Sequence, residues 1–422
     1  MPESPKNDHP FCKSTGHGCC YSKIDSNGVG VFNAVVSPVA EGGIRKQLES
    51  AIARLDAVLK RERLEGCVIA HNVFLRDIAD AVPAREILME YYGNNLPVIN
   101  YIPQKPCNDK LPFYFEILAE RGNTRKVRII RRNEHAVTVD IEGVTFGYFG
   151  NFAASSEASG AYDQSMDAFN QMCLGMAAEG FEIADLVRTW LYQGGIVRSE
   201  GNTQRYKELN RARTDFFEGI RFLENFIPEG KKGAIYPAST GIGTDGLGIR
   251  MAGLAILRNE YAEQPNGGKQ ALVSIPLENP GQTPAFDYAE SYSPQSPKFS
   301  RAVALEFASE RCGILISGTA SIVDSETVHI GDPAAQARQT LENIRLLISG
   351  DNLDRHGIKG FDATLANMAI ARVYVKRKED YPAIRAVCDE ILGNTPLLFV
   401  IADVCRDDLL VEIEGVAFCG KQ

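Results

Sequence analysis

The sequence predicts an α+β protein made of three copies of one supersecondary unit, with mixed sheets and the helices outside. Two observations carry this. Stretches with period-two alternation and stretches with apolar residues three and four apart follow one another in the same order three times along the 422 residues. The chain is 44% hydrophobic and 23% charged, which is enough apolar material for a sizeable core. One such unit alone buries too little surface, so the three are expected to pack on one another.

The elements follow in order. Residues 1–25 read as a leader. It holds His9, Cys12, His17, Cys19 and Cys20, but no second matching C-x-x-C pair follows, so no metal site is expected. A first unit, partly degraded, spans 26–125. GGIRKQLESAIARLDAVLKRERL places Ile44, Leu48, Ile52, Leu55 and Leu59 at helical spacing. Strand-like GCVIAHNVFL, helix-like AVPAREILMEYYG, a loop rich in Pro and Asn, and the alternating LPFYFEILA complete it. The second unit, 135–260, runs VTFGYFGNF (strand), QSMDAFNQMCLGMAAEG (helix), DLVRTWLYQ (strand), RYKELNRARTDFFEGI (helix), the loop YPASTGIGTDG and the strand LGIRMAGLAI. Residues 261–304 read as an insertion. The third unit, 305–422, contains RCGILISGTASIV, PAAQARQTLENIRLLISG, LANMAIARVYV, DYPAIRAVCDEIL, LLFVIADVC and the alternating Leu409–Ala417. Each unit thus reads β-α-β-α-β-β. Equal units close into rings, so a pseudo-trimeric monomer is expected rather than a homotrimer.

Bulk properties exclude several functions. A net charge of −9 and a pI near 5.4 argue against a nucleic-acid or membrane-surface binder. No apolar run approaches the ~18 residues of a membrane helix. The N-terminus lacks a signal-peptide core, and scattered cysteines suit reduced thiols, so a cytoplasmic location is expected. Only six histidines occur, none within the words that carry chemistry below, which weighs against Ser-His-Asp or Cys-His catalysis. No glycine-rich dinucleotide fingerprint follows a strand, and no cofactor is expected.

The last strand stands out. DVCRDDLLVEIEGVAFC carries Glu412 and Glu414 among aliphatics, and strand alternation puts both on one face. They are either the polar face of an edge strand or carboxylates shifted for acid/base work. In the second unit Arg250 falls near the position of Glu412.

The third unit resembles the YjgF/RidA/L-PSP superfamily (chorismate mutase-like fold), through ILISGTASI, AAQARQTLENIRLLI, ARVYVKRKEDYPAI and LLVEIEGVA. That resemblance implies trimer-like rings with ligand clefts between neighbouring units. Deaminases of the superfamily hold a substrate carboxylate with an arginine where this chain has Leu397, which weighs against enamine deamination. Residues 140–420 resemble more closely the chorismatase family, through VRTWLY, RYKELNRAR, YPASTGIGT, SYSPQSPKFSRA, SGTASIV and ADVCRDDLLVEIEG. This resemblance implies cleavage of the enolpyruvyl ether of chorismate, with Glu412 as the acid and Cys405 at a position that tunes the product. The chain departs from the family at Gly281 and Ala289-Glu290, and in the loop QGGIVRSEGNTQ.

Chorismate is a dianion, so two carboxylates need cationic clamps, and planar arginine forks suit them. Arg188, a charge on an apolar strand, leads the candidates, followed by Arg213, Arg205 and Arg301. Tyr192 and Tyr206 could bond the substrate, or simply pack. Ser239 and Thr240, ahead of two glycines, read as a loop offering hydroxyls and N–H groups to an anion. Glu414 and Ala320 are supporting candidates. Two alternatives stand beside chorismate cleavage: a RidA-like deaminase or L-PSP-type endoribonuclease, and a non-catalytic small-molecule binder.

Overall fold

The computed structural model describes residues 11–421 except 17, 27–28, 40, 123–126, 142, 156, 229–232, 259–271, 290–294 and 308–309. His9, His17 and Glu290 therefore lie outside the described residues.

The first unit comprises β1 (Phe11–Gly16), β2 (Cys19–Ser26), β3 (Val29–Val36), α1 (Ile44–Glu62), β4 (Val68–Leu75), α2 (Ala81–Tyr92), β5 (Val98–Ile102) and β6 (Phe113–Gly122). The second has β7 (Val127–Asn133), β8 (Ala136–Ile141), β9 (Val144–Ala153), α3 (Gly160–Ala177), β10 (Leu186–Gly194), α4 (Arg205–Phe216), β11 (Ala238–Thr244) and β12 (Ile249–Arg258). The third has β13 (Leu272–Leu277), β14 (Ala302–Phe307), β15 (Arg311–Ala320), α5 (Pro333–Ile348), α6 (Gly350–Arg355), β16 (Met368–Val375), α7 (Tyr381–Leu392), β17 (Leu397–Ile401) and β18 (Val411–Gly420).

Each unit is a six-stranded mixed sheet, and the strand order is the same in all three: β1-β2-β3-β6-β4-β5, β7-β8-β9-β12-β10-β11 and β13-β14-β15-β18-β16-β17. The pairs β4/β5, β10/β11 and β16/β17 are parallel, because a helix crosses over between their members. A register shift recurs at one place in every sheet, at Val68/Ala70, Leu186/Arg188 and Met368/Ile370. Counting from it makes Glu116, Ala252 and Glu414 equivalent, and likewise Tyr114, Arg250 and Glu412.

Three expectations are corrected here. The segment taken for a leader supplies β1 and β2, an edge pair: Cys19 and Tyr21 reach the first unit's core, and on the opposite face the buried Ser22 donates to the Ala369 carbonyl of the third unit at 2.6 Å. The unit is therefore β-β-β-α-β-α-β-β, and the supposed insertion at 261–304 holds β13 and the start of β14. Strands also stand where loops were expected: β5 within the Pro/Asn-rich stretch, and β11 within YPASTGIGT. Parallel pairing to β10 keeps ASTGIGT extended despite its glycines.

The first and third units are centred on apolar cores of their own, while the core of the second runs on into Val29, Ile69 and Val98 of the first and Leu305 and Leu315 of the third. A further cluster joins Val35, Phe74 and Ile102 of the first unit, Tyr192 and Ile242 of the second, and Tyr374 and Val400 of the third. The three meet at Gly243, whose N–H donates to the Asp403 carbonyl at 2.9 Å while Gln104 Nε2 donates to its own carbonyl at 2.7 Å. A Cβ there would stand 2.7 Å from the Asp403 carbonyl oxygen, so only glycine allows the backbones this close. Among the described residues no helix is long and apolar enough to cross a membrane.

Candidate active site

Alternation along β18 sends Ile413 into the third unit's core and both glutamates to the inner face, where they meet the second unit. Each is at least 95% buried, yet the two environments differ sharply.

Glu414 is saturated with donors. Arg372 Nη1 reaches its Oε1 at 2.8 Å and the Tyr374 hydroxyl reaches the same oxygen at 2.6 Å. Its Oε2 accepts from Arg188, from the Thr240 hydroxyl and, at 3.1 Å, from Trp190 Nε1. Arg372 also forks onto Glu116 of the first unit, at 2.6 Å to each oxygen. Both guanidinium groups lie over the Trp190 ring, Arg188 at 5.0 Å and Arg372 at 5.4 Å from its centroid. Burial alone would raise Glu414, but Arg372, Arg188 and the two hydroxyls outweigh it and hold its carboxyl below the usual range.

Glu412 moves the other way. Burial, reinforced by the neighbouring Glu414 charge, pushes its carboxyl from 4.5 up to about 8, against the pull of Arg188 and Arg301. It packs on β15 at Gly318, where any side chain would collide with its Oε1. Ala320 lies opposite it in the ladder. Cys405 is close enough that burial and Glu412 together push its thiol up to about 12, so it is a neutral group at neutral pH.

The facing wall comes from the second unit. Tyr206 and Arg213 project from α4; burial raises the phenol, and Cys405, Arg213 and Glu412 all act on it. Arg213 Nη2 donates to Asn210 Oδ1 at 2.6 Å and Nη1 to Ser239 Oγ at 3.4 Å, leaving its buried Nε without a partner among the described residues. Arg301 likewise spends Nη2 on the Thr283 carbonyl (3.0 Å) and the Tyr288 hydroxyl (2.6 Å), while its Nε has no partner. The Phe299 ring lies 5.5 Å from Arg213 and 5.6 Å from Arg301. Thr240 Oγ1 accepts from Arg188 at 2.6 Å and from the Gly318 N–H at 2.9 Å, pinning β11 to β15 across the unit boundary.

The structure thus gathers Glu412, Tyr206, Arg213, Ser239, Thr240, Arg301, Ala320 and Cys405 at the boundary of the second and third units. Three other candidates sit differently. Arg188 is engaged by Glu414 and Thr240, so it orders the wall behind Glu412, although its Nη1 has no partner. The Tyr192 hydroxyl accepts from Arg372 at 2.9 Å, on the far side of that wall. Arg205 leaves the site altogether: its guanidinium goes to the Gly194 and Leu247 carbonyls, Gln164 and Glu200, where it ties down the loop after β10. Sequence reasoning missed Arg372. It is a charge inside the apolar run ARVYV, the same signal that singled out Arg188. Glu116 carries no local signal, since its role exists only across two units.

No family model matches the chain. It is 36% identical over 284 residues to a 3-hydroxybenzoate synthase of Streptomyces hygroscopicus, covering 65% of this chain and 76% of that protein. It is 39% identical over 233 residues to a chorismatase of Streptomyces rapamycinicus, covering 55% of this chain and 63% of that one. A crystal structure of a chorismatase superposes with a TM-score of 0.62 at 25% identity, over 83% of this chain and 93% of the other. With a relative so similar over three quarters of its length and a solved chorismatase superposing over most of both chains, the chain belongs to the chorismatase family.

Proposed function

We propose that this chain cleaves the enolpyruvyl ether of chorismate, releasing pyruvate and a dihydroxycyclohexadiene carboxylate or hydroxybenzoate, with the single pseudo-trimeric chain as the working unit. The observation that carries the mechanism is the split between two neighbouring glutamates: Glu414 ionised and fully bonded, Glu412 protonated near neutral pH. A general acid works best when its pKa lies close to the operating pH.

In this reading Arg213 and Arg301 use their remaining N–H groups to hold the substrate carboxylates, and Tyr206 bonds a hydroxyl or carboxylate oxygen. Glu412 gives its proton to the methylene carbon of the enol ether. The resulting oxocarbenium ion is captured by water or by a group of the substrate itself, and the adduct collapses to pyruvate and the ring product. Cys405, neutral and beside Glu412, shapes the space around the ring. Ionised Glu414 serves twice, since its charge keeps Glu412 protonated and favours the cation that forms.

The test is pyruvate release from chorismate by the purified protein, followed across pH. Activity is expected to hold on the acid side and to fall about tenfold per unit above a pH near 8, as Glu412 loses its proton. Absence of pyruvate at every pH would end the proposal, and a rate that rises through pH 8 would end the role of Glu412 as acid.

A further inference from the structure

Behind the Arg188–Glu414 wall, the inner faces of the three sheets enclose a central cavity of about 560 Å³, and Glu412 is not among its lining residues. Small-molecule sites usually measure about 300–1,000 Å³ and are mostly apolar with a few placed polar groups. This cavity fits that description, with an apolar belt that includes Phe146, Phe149, Leu305 and Leu315. It reaches the surface beside the exposed Glu310 and Lys421.

Its polar side is unevenly distributed. Three lining residues, Asn33, Glu120 and Arg188, are each at least 95% buried, and each carries a polar atom with no partner among the described residues: Nδ2, Oε2 and Nη1. Buried polar groups are seldom left unpaired, because such a group has given up water without gaining a partner. The fold itself does not require them. Sheet register makes Glu120 equivalent to Ile256 and Phe418, and Asn33 equivalent to Tyr148 and Leu315. At these two positions the first unit therefore presents a carboxylate and an amide to the cavity, where the other units carry Ile256 and Phe418, and Tyr148 and Leu315.

We propose that the central cavity is a second binding site, for a small ring carboxylate carrying a hydroxyl group. Arg188 and Asn33 supply donors for the carboxylate, the free oxygen of Glu120 takes the hydroxyl, and the phenylalanines cover the ring. The Tyr148 hydroxyl, bonded to Glu120 at 2.6 Å, holds that acceptor in place.

The experiment is calorimetric titration of the full chain with 3-hydroxybenzoate, in wild type, Asn33→Leu and Leu315→Trp. Asn33→Leu places in the first unit the residue that the third carries at the equivalent position, so the fold should accept it. Wild type should bind one more molecule per chain than Leu315→Trp, whose indole projects into the cavity where the ligand ring would lie. In Asn33→Leu the affinity of that extra site should fall roughly threefold to tenfold, as for one lost hydrogen bond. Equal stoichiometry in wild type and Leu315→Trp, or an extra site indifferent to Asn33→Leu, would overturn the proposal and leave the cavity to solvent. The titration needs no turnover, so its failure and a failure to release pyruvate are separate results.

Discussion

Glu412→Gln is expected to lower the rate of pyruvate release from chorismate roughly 100- to 10,000-fold, the usual weight of a positioned general acid. Glutamine keeps the length and planarity of the protonated carboxyl, so packing against Gly318 is preserved. What it lacks is a proton that it can give to carbon. KM should change far less than kcat, because the proposed carboxylate clamps, Arg213 and Arg301, are not touched. Steady-state kinetics on the two proteins decides this, and equal kcat values would remove Glu412 from the mechanism while leaving the activity intact.

The second large effect is structural. Arg372→Met should destabilise the protein by about 3–5 kcal/mol, the cost of breaking a buried ion network from one side. Arg372 bonds Glu414 of the third unit, Glu116 of the first and, through the Tyr192 hydroxyl, the second. Its loss leaves Glu116 buried with only the Asn72 amide, at 2.8 Å, among the bonds described. Arg372→Lys should recover part of the loss, since an ammonium restores charge but cannot fork onto two carboxylates. Urea midpoints compare the three proteins; a loss below about 1 kcal/mol for the methionine variant would mean that the network is not what joins the units.

Where sequence and structure agree, the reason is local. The helices announce themselves by three-and-four spacing, and β18 by alternation, because one face of each must be apolar to reach a core. The first two strands of every unit escaped notice for the opposite reason. Residues 11–26 form an edge pair whose polar side chains find partners in the third unit, Ser22 at the Ala369 carbonyl and Lys13 at Thr395, and in isolation such a stretch looks like a leader. ASTGIGT reads as a turn because its glycines and hydroxyls suit one; the structure uses them for close backbone approach at Gly243 and for bonds across the unit boundary.

The site shows the same division. Glu412 and Glu414 are indistinguishable by spacing; Glu414 is held ionised by Arg372 and Arg188, residues 40 or more positions away in the chain, while burial and the Glu414 charge keep Glu412 neutral. Arg205 sits in the same motif as Arg213, yet the helix turns it toward the Gly194 loop. The first unit looked degraded because only two of its six strands were legible in the sequence. Its Glu116, Asn33 and Glu120 matter only once three sheets close around one axis.

The most direct measurement is to run the reaction in D2O, trap the pyruvate rapidly by reduction to lactate, and weigh it by mass spectrometry. Protonation of the methylene carbon by an exchangeable carboxyl places one solvent deuterium in the methyl group, so monodeuterated lactate is expected from the wild type. Undeuterated methyl would mean that the hydrogen came from the substrate ring, and that no acid of the protein, Glu412 included, makes the carbon–hydrogen bond.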